Sequence, residues 1–259
     1  MLHTAALLTE RTGTGTWCKD CFRPLELVVE YLMELLAEDK KEDGLIRGVP
    51  EADEQKDPGK YFHNNGWIVK GLHRWVKICE LCNFSPSIPI EVIQHNAEQL
   101  KKKTLSAIRQ RWPKEPEDWW LPPRLEPSPR PACLTDTRLS SYTNYRYWPE
   151  LLSSGLLPAD MANRITEARL SAGGQFCGMT RFADWLDDWP LADYLYALWK
   201  LGRKEDFLLS LYGHISYHQA EVHLTAYEQV TFPPGEEKAP YCLPCQIVAA
   251  RAARLINRK

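Results

Sequence analysis

Apolar residues recur at three- and four-residue spacing in one segment after another, and Pro or Gly punctuates the boundaries. That period belongs to a helix with one buried stripe, and it limits the chain to helices that must cover one another. Pro24–Glu38 begins with Pro in its first turn and continues with Leu25, Val28, Val29, Leu32 and Leu36. Gly66–Leu81 carries Trp67, Ile68, Leu72, Trp75, Val76 and Cys79 on one stripe, with Asn64 or Asn65 as its cap. The same reasoning predicts helices over Pro89–Trp112, Tyr145–Ser154, Pro158–Ser171, Trp189–Leu201, Lys204–His218 and Tyr241–Asn257. Strand signals are scarce, with a short irregular piece around Val222–Thr231. Helix, tight turn, helix, longer loop is the rhythm of stacked helical hairpins, so the expected class is all-α.

Composition excludes several classes. The chain of 259 residues is 44% hydrophobic and 25% charged, as an ordinary globular protein is. A net charge of −2 supplies no field to recruit nucleic acid or an acidic membrane, so neither is an expected partner. No apolar run approaches the ~18 residues that span a bilayer. Met1–Trp17 lacks the basic start of a secretory signal, and the expected location is cytoplasmic. Residues 1–259 read as a single domain, with 1–22 a poorly defined extension. The segment 112–131 holds seven of the nineteen prolines beside Trp119 and Trp120, which marks a long loop packed across the domain.

Four loops before helices concentrate polar and aromatic groups. Residues 43–53 and 61–67 deliver Glu51, Asp53, His63, Asn64 and Asn65 to a helix N-terminus, either as capping groups or as polyol contacts. Residues 136–149 hold Tyr142, Tyr145, Tyr147 and Trp148 with Arg138, Arg146 and Asn144, which need hydrogen-bond partners wherever they are buried. Residues 173–190 carry Arg181, Asp184, Asp187 and Asp188 with Trp185 and Trp189, and Asp188 stands where an N-cap is expected. Residues 214–234 place Glu221 and Glu228 around Tyr227, and paired carboxylates among aromatics suit acid/base work on a glycosidic bond.

In the order of these pieces the chain resembles the six-hairpin (α/α)6-toroid glycosidases. The stretches that carry the likeness are DGLIRGVPEAD, YFHNNGWIVKGL, NYRYWPELLSSGLL, GGQFCGMTRF, WLDDWPLADYLYALWKLGR, LYGH, TAYEQV and YCLPCQ, and it covers most of residues 23–259. The resemblance implies a partial or complete toroid whose inner helices turn their N-termini toward a sugar cleft. It implies a glycoside hydrolase acting on a carbohydrate, with Asp188, Glu221 and Glu228 as catalytic carboxylates. The contacting residues would be Asp53, His63, Asn64, Tyr145, Arg181, Asp187, Trp189 and Tyr227. Asp188 at a helix start suits the base or nucleophile, and Glu228 beside Tyr227, Val230 and Phe232 suits the proton donor. The alternative is a non-catalytic carbohydrate-binding or structural remnant of that fold.

No cofactor or metal is expected. Six of the eight cysteines form C-x-x-C pairs, Cys18/Cys21, Cys79/Cys82 and Cys242/Cys245, too far apart in sequence for a zinc ribbon or finger, and they read as reduced core thiols. His214, His218 and His223 match no metal motif. Asp187-Asp188 lacks the third aspartate of a diphosphate-binding helix, since Leu191 stands in its place.

Overall fold

The computed structural model describes residues 1–13, 16–39, 43–51, 55–115, 118–220, 222 and 225–257, with the side chains of Thr16, Cys18, Lys19 and Asp39 outside that description. The chain packs as two compact units: Met1–Arg111 with Arg124–Glu126, and Trp112–Pro123 with Pro127–Lys259. The proline-rich stretch is thus divided between them. Among the described residues no helix is long and apolar enough to cross a membrane.

The first unit is helical. The supposed extension is itself helix α1 (Leu2–Thr12), which buries Leu2, Ala5, Ala6 and Thr9. It packs on α3 (Phe62–Cys82), where Leu2 lies against Gly71 and Arg74 pairs with Glu10 at 2.7 Å. Helix α2 (Thr16–Asp39) runs through Pro24 rather than starting at it, because Phe22 is wanted in the core beside Trp75. Helix α4 (Ile90–Arg111) buries Ile93, Ala97, Leu100 and Ile108.

The loop before α3 is pinned by side chains. Asn65, fully buried, accepts from Ile46 N at 2.9 Å and donates to Ile46 O and Tyr61 O. Asn64 makes one exposed bond, to Val49 O. Asp57 receives bonds from the Arg124 guanidinium and the Tyr61 hydroxyl.

The second unit corrects the expected fold class. It contains helices α5 (Arg138–Tyr142), α6 (Trp148–Ser154), α7 (Ala159–Ser171), α8 (Leu191–Lys200), α9 (Lys204–Tyr217) and α10 (Leu243–Ile256), with a π-helical turn, Thr143–Tyr147, joining α5 to α6. It also contains an antiparallel sheet of five strands in sequential order: β1 (Gln175–Phe176), β2 (Met179–Phe182), β3 (Trp185–Asp187), β4 (Gln229–Val230) and β5 (Glu237–Lys238). The protein is therefore mixed, with helices and an antiparallel sheet, and the all-α toroid expectation is overturned. Strands of two to four residues are too short for alternation to announce them. The β3–β4 pair joins segments some forty residues apart, with Leu186 opposite Val230 and Asp187 opposite Gln229. Met179, Leu186 and Val230 form the apolar side of this sheet.

Local chemistry explains the helix starts. Thr137 and Ser140 form a reciprocal capping box, so α5 begins before the expected Tyr145. Trp148 is fully buried, donates to Leu121 O at 3.2 Å and packs on Trp120, which ties the proline-rich stretch to the second unit's core.

Two outcomes test the first unit. Asn65→Ala strands Ile46 N and Ile46 O and should cost about 2–4 kcal/mol by urea unfolding, whereas Asn64→Ala should stay within about 0.5 kcal/mol. Burial opposes ionisation of Asp57, but Arg124 and Tyr61 outweigh it and hold its carboxyl below the ordinary carboxylate range. A depressed acid contributes stability above its unfolded value of about 4 and loses it as pH falls through the folded value. The stability gap between wild type and Asp57→Asn should therefore be flat from neutrality to about pH 5 and shrink at lower pH.

Candidate functional site

The tightest polar cluster of the second unit forms where a hairpin meets α9. Cys177 and Gly178 turn β1 into β2 with φ of 48° and 79°, as a type I′ hairpin requires. A Cβ at Gly178 would lie 2.6 Å from Ser210 backbone, and one at Gly213 would lie 2.4 Å from Cys177 O. The two glycines let the hairpin touch the helix backbone. Thr180 and Asp188 are thereby brought to the face of α9 that carries His214 and His218. These histidines stand four residues apart and so share one side of the helix.

Asp188, His214 and His218 are all fully buried. Asp188 Oδ1 accepts from Thr180 N at 3.1 Å. Asp188 Oδ2 lies 3.1 Å from His214 Nδ1 and 3.3 Å from His218 Nε2. The far nitrogen of each ring meets a backbone carbonyl: His214 Nε2 donates to Cys245 O at 3.1 Å and His218 Nδ1 to Tyr227 O at 3.0 Å. One ligand atom from each of the three side chains falls within 4.8 Å of the others. Burial works against the Asp188 charge, but the two imidazoles and the Thr180 N–H outweigh it and hold the carboxyl below the ordinary range.

A buried cation supports this cluster from behind. Arg169, fully buried on α7, donates to Asn144 Oδ1 at 3.1 Å and to Thr180 Oγ1 at 3.3 Å, and its guanidinium lies 4.0 Å from the Tyr194 ring centre. Asn144 in turn donates to Gly174 O and Arg181 O. The chain of bonds runs from the π-helical turn through α7 and β2 to the carboxylate.

The residues expected at a sugar cleft are placed as follows. Asp188 does not cap α8: Pro190 holds the cap position, and the aspartate points into the histidine pair. Its two oxygens face Thr180 N and the two histidine rings inside the protein. Asp187, also fully buried, accepts from Trp189 N and from Gln229 Nε2 at 2.8 Å. Burial, with Glu228 and Asp188 adding to it, pushes its carboxyl up to about 8 against those two bonds. The β3–β4 pairing brings Glu228 to this group, since Asp188 N donates to Glu228 O at 3.2 Å. Tyr227 is half-buried beside Met179, Leu186 and Val230. Tyr145 packs its ring on Phe182 at 4.4 Å, Arg181 donates to Gly173 O, and Trp189 lies under the Arg146 guanidinium. His63 is buried in the first unit against Pro50 O, and Asn64 binds Val49 O. Asp53, Glu221 and His223 lie outside the described residues.

His214, His218, Thr180 and Arg169 were not among the expected site residues. The i, i+4 spacing of the two histidines is a signal in the sequence, but their partner stands 26 residues before the first of them and only the hairpin reveals it. Comparison with family models, with curated proteins and with solved structures finds no match to this chain. The site is therefore read from its own geometry.

Gly213→Ala should separate hairpin and helix. An overpacked contact typically costs about 1–3 kcal/mol, so thermal unfolding should drop accordingly. Gly48→Ala, where an added Cβ meets nothing, serves as the small-effect control.

Proposed function

We propose that the second unit binds one divalent transition-metal ion through Asp188, His214 and His218. The observation that carries this reading is His218 Nε2. It is buried, makes no hydrogen bond, and lies 3.3 Å from Asp188 Oδ2. The Nδ1 of the same ring already gives its proton to Tyr227 O. A neutral ring therefore sets a lone pair against a carboxylate lone pair in the interior. Either a second proton or a cation must lie between them.

Proton counting favours the cation. His214 also faces an acceptor at each nitrogen, Cys245 O and Asp188 Oδ2. Filling both gaps with protons makes two imidazolium rings against one carboxylate, beside the buried Arg169. That would leave buried positive charge in excess, and an uncompensated buried charge costs several kcal/mol. A metal ion instead uses both neutral rings as ligands. Each would keep its outer N–H on a backbone carbonyl, which is the usual way a ligating imidazole is oriented. The spacings suit this. Ligands ~2.1 Å from a tetrahedral ion stand ~3.4 Å apart, close to the 3.1 and 3.3 Å found here. Two imidazoles and one carboxylate suit zinc or ferrous iron rather than magnesium or calcium.

Seated there, the ion would join the β3–α8 turn to α9 and act first as an internal clamp on the fold. The described cysteines are free thiols, in keeping with a reducing, cytoplasmic setting. Elemental analysis of purified protein should return close to one zinc or iron per chain. Removing it with a chelator should lower the melting temperature, and returning Zn²⁺ should restore it. An ion present at a hundred times its Kd contributes about 2.7 kcal/mol. His218→Gln should keep the fold but lose the metal-dependent part of the stability. Folded wild-type protein that carries no metal and shows no shift with added Zn²⁺ or Fe²⁺ would overturn the reading.

A further inference from the structure

The three C-x-x-C pairs are not equivalent in the fold. Cys18/Cys21 lies within α2 and Cys79/Cys82 within α3. Residues i and i+3 inside a helix hold their Cβ atoms about 5–6 Å apart, too far for the ~3.8 Å of a disulfide. Cys242/Cys245 instead opens a helix. Cys242 is the N-cap of α10 with an extended backbone, φ −61° and ψ 109°, and Cys245 sits in the first turn. Freed from helical geometry, the Cys242 side chain can turn toward its partner.

The surroundings hold this arrangement. Cys242 N donates to Ala226 O at 3.1 Å, and Cys242 O accepts the helical bond from Gln246 N at 2.9 Å. Pro244 occupies a first-turn position where no N–H is needed. Only Leu243 and Pro244 separate the two cysteines at the start of α10. Their access differs: Cys242 is half-buried, whereas Cys245 is fully buried. One thiol is placed to meet a partner and the other to resolve the product. Both are free.

We infer that Cys242 and Cys245 form a redox-active dithiol that exchanges reversibly with small-molecule disulfides. In the forward direction the Cys242 thiolate attacks one sulfur of the disulfide RSSR. A mixed disulfide forms on Cys242, and one RSH leaves with the proton. Cys245 then attacks Cys242 Sγ, which closes the intramolecular disulfide and releases a second RSH. The protein pair loses two electrons and two protons, and RSSR gains them. Burial raises the Cys242 thiol, with the Glu228 carboxylate adding to it despite the opposing hydrogen bond from Cys245. A pair whose thiolate is not stabilised lies toward the reducing end of such couples.

The test equilibrates the full chain in glutathione buffers from fully reduced to fully oxidised, then alkylates it and maps the peptides by mass spectrometry. The run is done on metal-loaded and on chelated protein, so that it reads the thiols whether or not Asp188 and the histidines hold an ion. The expected result is a peptide lighter by two hydrogens that links Cys242 to Cys245, appears in both preparations and is reversed by dithiothreitol. Cys245→Ser should trap glutathione on Cys242, and Cys242→Ser should lower glutathione incorporation at Cys245 at least tenfold below that trapped level. A pair that stays alkylatable in fully oxidised buffer while the protein is folded would overturn the inference. So would a 242–245 disulfide that forms only in denaturant.

Discussion

A carboxylate with no access to water sets the terms for the second unit. Asp188 keeps its charge inside the protein because Thr180 N–H, His214 and His218 surround it. Those partners come from separate pieces of chain. The hairpin brings Thr180, α9 brings both rings, and the strand after residue 228 locks the aspartate backbone through Glu228 O. Losing any one would leave a buried charge short of a partner, the costly way for an ion pair to fail. The strands around it are short because their task is placement: they need only enough ladder to fix Thr180 and Asp187 opposite their partners.

Arg169 extends the same logic. A buried guanidinium over the Tyr194 ring, bonded to Asn144 and Thr180, is expensive unless opposite charge lies nearby. Asp188 is that charge, one hydrogen-bonded residue away. The polar core of this unit is thus a single connected object, from the π-helical turn to the N-terminus of α10, and it holds the apolar layers of α6, α8 and α10 in one arrangement.

The helices were largely legible in the sequence because each buries a stripe at helical spacing, as Leu72 and Val76 or Leu195 and Leu198 do. What was not legible has physical reasons. The helix at Leu2–Thr12 is short and weakly patterned, and α3 rather than its own periodicity decides it. The sheet was invisible because two-residue strands carry no alternation, and β3 finds β4 only through the intervening α8 and α9. Asp188 precedes a helix by the count of a cap, yet Pro190 holds the cap position and the Asp188 side chain meets Thr180 N and His214 instead. His214 and His218 were visible as a pair, but a pair gains chemical meaning only with its third member. Asn64 and Asn65 look equivalent in the sequence, while the fold gives Asn65 a buried structural task and leaves Asn64 with an exposed bond.

The pairing of two rings on one helix makes α9 an angular device. Successive residues turn by about 100° and rise by about 1.5 Å, so His214 and His218 stand about 40° and 6 Å apart along the cylinder and reach Asp188 from two heights. That geometry fixes the phase of the helix as well as its position. The turn at Gly202 starts the count, and the hairpin contact at Ser210 and Gly213 fixes it before the first ring is reached. One residue gained or lost between that turn and His214 would swing both rings off the carboxylate together. The length of that stretch is therefore tied to the charge in the core as well as to the packing around it.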